Sequence, residues 1–131
     1  MTVIQNQEDI RRTISAVPEL KQRRIRELND AFRRYPERGL GVTGKVLMTS
    51  GISAMSWGDK ASILQLVKSF ECFSEGNDPH GEHDFGAFDF KGQKIFWKID
   101  YYAPDMEQGS PDPSNPDVTC RVLTILLADE Y

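Results

Sequence analysis

The sequence predicts an α+β fold: a single domain in which an antiparallel sheet of three or four strands carries N-terminal and middle helices packed on it. Three observations point there. Apolar residues recur at helical spacing in the first third of the chain, they alternate at strand spacing around Lys91-Gly92, and the final apolar run is apolar on both faces. No repeat or linker breaks the 131 residues, so one domain over 1–131 is expected. That length buries enough surface for a core without disulfide or metal staples.

Taken in order, Ile10, Ile14 and Val17 recur at four and three, and residues 1–18 read as an N-terminal extension or an extra helix. Ile25, Leu28, Phe32 and Tyr35 continue the helical stripe after Pro18, which suits a first helical turn where its missing N–H costs nothing. A glycine-rich loop over 38–44 precedes a short strand at Lys45 to Met48. Ser56 or Asp59 caps a helix through Ile63, Leu64, Val67 and Phe70. After a loop at 74–81, DFGAFDF and QKIFWKIDYY form a β-hairpin, with Ile95, Trp97, Ile99 and Tyr101 on the core face. Four prolines make 103–118 a long acidic loop, too broken for a helix or central strand. RVLTILLADEY then supplies a strand apolar on both sides, which belongs in the middle of the sheet.

The net charge of −4 is unevenly spread. Residues 1–38 carry +3, residues 39–70 carry +2, and residues 71–131 carry −9. No Lys or Arg falls between Lys68 and Lys91, or between Lys98 and Arg121. Glu71, Glu75, Asp78, Glu82, Asp84 and Asp89 fill the first gap; Asp100, Asp105, Glu107, Asp112 and Asp117 fill the second. A block of one sign attracts basic partners and repels phosphates, which argues against direct nucleic-acid binding by the C-terminal half. Residues 19–38 hold Lys21, Arg23, Arg24, Arg26, Arg33, Arg34 and Arg38, read as the water-facing side of an amphipathic helix, with phosphate contact or a match to the acidic half as alternatives.

Cys72 and Cys120 lack CxxC spacing and read as buried free thiols. The N-terminus has no signal-peptide pattern and no apolar run could span a bilayer, so a cytoplasmic protein without membrane contact is expected. GVTGK lacks Walker spacing and no GxSxG elbow occurs, which excludes the nucleotide-hydrolysis and α/β-hydrolase motifs.

The densest chemistry lies in NDPHGEHDFG, where both histidines, His80 and His83, alternate with Asp78, Glu82 and Asp84. Imidazole with carboxylate suits a divalent metal such as zinc or manganese, and hairpin register brings Asp100 and Tyr102 towards the same edge. His80, Glu82, His83, Asp84 and Asp100 are therefore the ligands of a metal-binding or metal-dependent hydrolase reading. The plainer account is that Asn77 and Asp78 form a side-chain-to-backbone turn, with Glu82 and Asp84 pinning the start of the hairpin. No cofactor is otherwise expected.

RIRELNDAFRR, NDPHGEHDFGAF, IFWKIDYY, SPDP and RVLTILLADEY together resemble a family of small bacterial proteins known only as a domain of unknown function, over about Arg24 to Tyr131. The resemblance implies a setting on mobile genetic elements, where small acidic proteins block host defence, anti-CRISPR and anti-restriction inhibitors among them. The expectation is a protein-binding module rather than an enzyme, occupying a partner's basic nucleic-acid-binding surface. Its contact residues would be Glu71, Glu75, Asp78, Glu82, Asp84, Asp100, Tyr101, Tyr102, Asp105, Glu107, Asp112 and Asp117.

Overall fold

The computed structural model describes residues 17–38 and 41–131; Ile10 and Ile14 lie outside them. Helix α1 spans Pro18–Arg34, with Pro18 in the first turn as its sequence requires. Its apolar stripe is shorter than the spacing suggested. Ile25, Leu28 and Phe32 are buried, whereas Tyr35 caps the C-terminus and is exposed. Strand β1 follows at Thr43–Met48, then a short helix α2 at Ser50–Ser53 that the sequence pattern did not signal. The Glu130 carboxylate accepts from Thr49 Oγ1 (2.6 Å), Gly51 N (3.0 Å) and Leu127 N (3.1 Å), tying the first turn of α2 to the end of the chain. These donors hold the Glu130 carboxyl below its ordinary range. Helix α3, Trp57–Lys68, is capped by Ser56, whose hydroxyl accepts from Asp59 N. Phe70 lies just beyond it, buried.

Strands β2 (Phe85–Phe90) and β3 (Gln93–Tyr102) form the expected hairpin. Lys91 and Gly92 turn it with φ of 48° and 81°, the two left-handed residues that a tight two-residue turn demands. Strand β4, Cys120–Leu127, lies between β1 and β3, and the sheet order is β1-β4-β3-β2. The expectation of a wholly antiparallel sheet is corrected by β1, which pairs parallel to β4, Val46 beside Leu123. Parallel neighbours need a long connection, and everything from α2 to the acidic loop lies between Met48 and Cys120. The other side of β4 is already taken by β3, so only this edge was left for β1.

The helices cover one face of the sheet. On that inner face Ile95, Trp97, Ile99, Leu123 and Ile125 pack with Phe32, Ile63 and Val67 into one core. Trp97 is fully buried and lies opposite Gly86 on β2, where the missing Cβ makes room for the indole. The outer face carries Phe96, Lys98, Asp100 and Tyr102 of β3 beside Leu126, Thr124, Val122 and Cys120 of β4. On that face Cys120, Val122 and Leu126 are buried, while Lys98 and Asp100 are more than a third exposed. Cys120 is buried and Cys72 is exposed, so only one of the two free thiols has the expected burial.

Candidate functional site

The chemistry-rich segment 77–84 is held against α1 by a ladder of side chains. Gln22, Arg26, Asn29 and Asp30 occupy one side of the helix, spaced by four, three and one, and address four consecutive residues. The Gln22 amide donates to the His80 carbonyl, Arg26 Nη1 to the Gly81 carbonyl (3.3 Å), and Asn29 Nδ2 to the Glu82 carbonyl (3.0 Å). Asp30 takes the His83 ring, with Nδ1 at 2.9 Å from Oδ1. His83 has φ 56°, a left-handed conformation uncommon for a side chain of its size, and its ring is stacked on Phe73 at 3.7 Å and 4°. Its Nε2 faces Asp78 Oδ2 at 3.8 Å. Asp78 is itself buried and accepts from the backbone N–H of Glu82 and His83, the turn role that the plainer reading gave it. Asn77 supplies the companion turn by accepting from Ser74 N.

Beneath the ladder lies a buried polar network. Asn29 Nδ2 also donates to the Tyr101 hydroxyl (2.7 Å), which donates to Glu82 Oε1 (3.1 Å). Asn29 Oδ1 accepts from Arg121 Nε at 2.7 Å, and Arg121 Nη2 donates to the Pro113 carbonyl at 2.6 Å. Asn29 and Arg121 are both fully buried. Burial lowers Arg121 to about 10 and raises Tyr101, because each charged form loses its water. Burial likewise raises Glu82 and Asp84. Arg33, read from sequence as solvated, is also fully buried: Nη1 donates to the Val67 and Lys68 carbonyls at the end of α3, and Nη2 pairs with Asp30. No hydropathy pattern reveals these polar core residues, since Asn29, Arg33 and Arg121 look like surface positions in a linear reading.

The raised Glu82 has a testable consequence. A carboxyl whose folded pKa lies above its unfolded value contributes stability at low pH that is lost as pH rises through the folded value. Glu82→Gln keeps the oxygen that accepts from Tyr101 and removes the charge. It is expected to match the parent in melting temperature at about pH 4 and to exceed it at about pH 7. Parallel thermal melts at the two pH values check this; a variant that matches the parent at about pH 4 but is less stable at about pH 7 would place Glu82 in a charge-dependent role.

The proposed metal ligands do not converge. His83 turns to Asp30, His80 is exposed, Glu82 faces Tyr101, and Asp100 lies on the outer face paired with Lys98 at 2.8 Å. His83 and Asp100 thus leave opposite sides of the sheet instead of sharing one edge, because the left-handed turn at His83 redirects its side chain to the helix layer. Among the described residues no group of three His, Cys, Asp or Glu is placed to hold a metal ion.

The acidic blocks are also partly matched in space. Glu71 pairs with Arg34, Asp89 with Lys94, Asp100 with Lys98 and Asp112 with Lys21. Asp78 is buried, Glu82 and Asp84 are half-buried, and Tyr101 belongs to the inner network, so these four are poor candidates for an outward contact surface. Glu75, Asp105, Glu107 and Asp117 are exposed and Tyr102 is half-buried. The loop that bears Asp105, Glu107 and Asp117 is well built. Tyr102 bridges to Gly109, Asp105 Oδ1 accepts from Glu107 N, and the Thr119 hydroxyl donates to the Asp112 and Asn115 carbonyls.

Fold and site together define a small α+β domain with helices on one face of a mostly antiparallel sheet and a helix-pinned loop at one end. No described helix is long and apolar enough to cross a membrane. Residues 48–130 match the family described as Protein of unknown function (DUF3768), and the chain belongs to it. The match contains NDPHGEHDFG and the last strand, whereas α1, which supplies the ladder, precedes it. No curated protein and no solved structure matches the chain.

Proposed function

We propose that this chain is a binding module for a protein partner, not an enzyme, and that its 103–119 loop occupies a basic, nucleic-acid-binding surface of that partner, in the manner of mobile-element inhibitors of host defence. The observation that carries the reading is the loop itself. Asp105 and Glu107 are exposed, make no ion pair with a described Lys or Arg, and sit on backbone ordered by its own hydrogen bonds. Little conformational entropy is then lost when the loop meets a cationic surface. Asp112 serves differently: its carboxylate accepts from Ser114 N at 3.1 Å and meets Lys21, so it holds the loop's shape.

The test is capture of host-extract proteins on the immobilised chain, followed by elution with double-stranded DNA. A partner held at its nucleic-acid surface should be displaced by DNA and by moderate salt. The variant Asp105→Lys/Glu107→Lys should lose at least tenfold in affinity while keeping its melting temperature, since these are surface positions. Retention indifferent to DNA, salt and the double reversal would sink the reading.

A further inference from the structure

We infer that the cavity between the start of α1 and the 77–84 loop binds a primary alkylammonium group, such as a lysine side chain. The cavity holds about 460 Å³. Ile25, buried, and Glu82, half-buried, lie inward, and the exposed Pro18, Glu19, Gln22 and His80 form its rim. Charge is unbalanced there. Lys21 is already engaged by Asp112 at 3.5 Å, and the Gln22 amide by the His80 carbonyl. Glu82 Oε1 accepts from the Tyr101 hydroxyl, but Oε2, the Glu19 carboxylate and the His80 ring have no hydrogen bond or ion pair with a described residue. A carboxylate drawn partly out of water without a counter-charge is costly, and a cation that fills the cavity removes that cost. The upward shift of Glu82 on burial runs in the same direction.

The lining narrows the kind of cation. Ile25 and the Pro18 ring offer an apolar wall for a methylene chain, as when a lysine stem is buried while its head stays among polar groups. With Oε1 held by Tyr101, one carboxylate oxygen is left, which suits the compact charge of an ammonium. The flat fork of a guanidinium is matched to both oxygens of a carboxylate. An ammonium has three donors, and the two that do not meet Glu82 have the His80 ring and Glu19 as acceptors on the rim. The inference does not rest on the acidic loop, because neither Asp105 nor Glu107 lines the cavity.

Nuclear magnetic resonance titration of the isotope-labelled full chain at neutral pH tests the proposal. Butylammonium and Nα-acetyl-lysine methylamide should each give saturable shifts at Ile25, Gln22 and His80. Nα,Nε-diacetyl-lysine methylamide, which is neutral, should give none, and butylguanidinium should bind more weakly than butylammonium. Glu82→Gln, expected to stay folded, should weaken both ammonium probes about tenfold. Reversal of Asp105 and Glu107 should leave both affinities unchanged, which separates this site from the loop's proposed role. Tighter binding of the lysine amide than of butylammonium assigns the cavity to a side chain of a protein partner; equal binding assigns it to free amines. Absence of saturable shifts overturns the proposal, as does equal binding of the neutral or the guanidinium probe, or undiminished binding by Glu82→Gln.

Discussion

Replacing Asn29 with alanine is expected to lower the melting temperature by about 10 °C. The side chain makes three hydrogen bonds inside the core, to Glu82 O, Tyr101 Oη and Arg121 Nε. Truncation leaves the wholly buried Arg121 with one fewer acceptor, in a site where Nη1 already has no partner among the described residues. Buried groups left unpaired cost about 1–3 kcal/mol each, more when charged, so a loss of about 3 kcal/mol or more follows. Asn29→Asp separates the parts. It keeps the acceptor for Arg121 but replaces the amide donor facing Glu82 O and Tyr101, and should fall between parent and alanine. Thermal unfolding followed by circular dichroism reads both. A drop below about 2 °C for the alanine variant would show that the network contributes little to stability.

Gly86→Ala should destabilise by about 3 kcal/mol, the upper end of the range for overpacking a core. A Cβ built there lies 2.3 Å from Trp97 Nε1, 2.6 Å from Trp97 Cε2 and 2.8 Å from Phe70 Cε1. None of these rings is free to give way. Trp97 is fully buried and stands edge-on to Phe70 at 5.5 Å and to Phe73 at 6.1 Å. Phe73 in turn carries the His83 ring, so a displaced indole should disturb the pinned loop as well as the hairpin. Denaturant unfolding gives the energy, and near-ultraviolet circular dichroism reports the indole environment. Performing the comparison in a Trp57→Phe background removes the other tryptophan, which is 85% exposed. Unchanged near-ultraviolet bands with unchanged stability would contradict the packing argument.

Much of the fold was legible because its elements obey local rules. Pro18 opens α1, Ser56 caps α3, Lys91-Gly92 turns the hairpin, and the alternation from Ile95 to Tyr101 selects the core face. The candidate site was legible in part. The clustering in NDPHGEHDFG marked the right segment, and Asp78 is the turn former that its place before Pro79 suggested. Its partners on α1 were hidden, because Asn29 and Asp30 lie more than fifty residues away from Glu82 and His83 and nothing in their own neighbourhood distinguishes them from surface residues. The acidic blocks misled for the same reason. Glu71 and Asp112 are unopposed along the gaps in the chain, yet each meets a cation of α1 in space.

The sequence by itself determined the types of the long elements, the place of the hairpin turn, the central place of the last strand and the two regions of unusual charge. These follow from periodicity, capping and turn chemistry, which act over a few residues. Only the tertiary structure decided that β1 runs parallel to β4, that Arg33 and Arg121 belong to the core, and that His83 faces α1 while Asp100 lies on the outer face of the sheet. Those outcomes depend on which distant groups satisfy a buried donor or charge. Burial makes an unpaired polar group costly, and the partners that meet the cost are chosen by packing in three dimensions rather than by spacing along the chain.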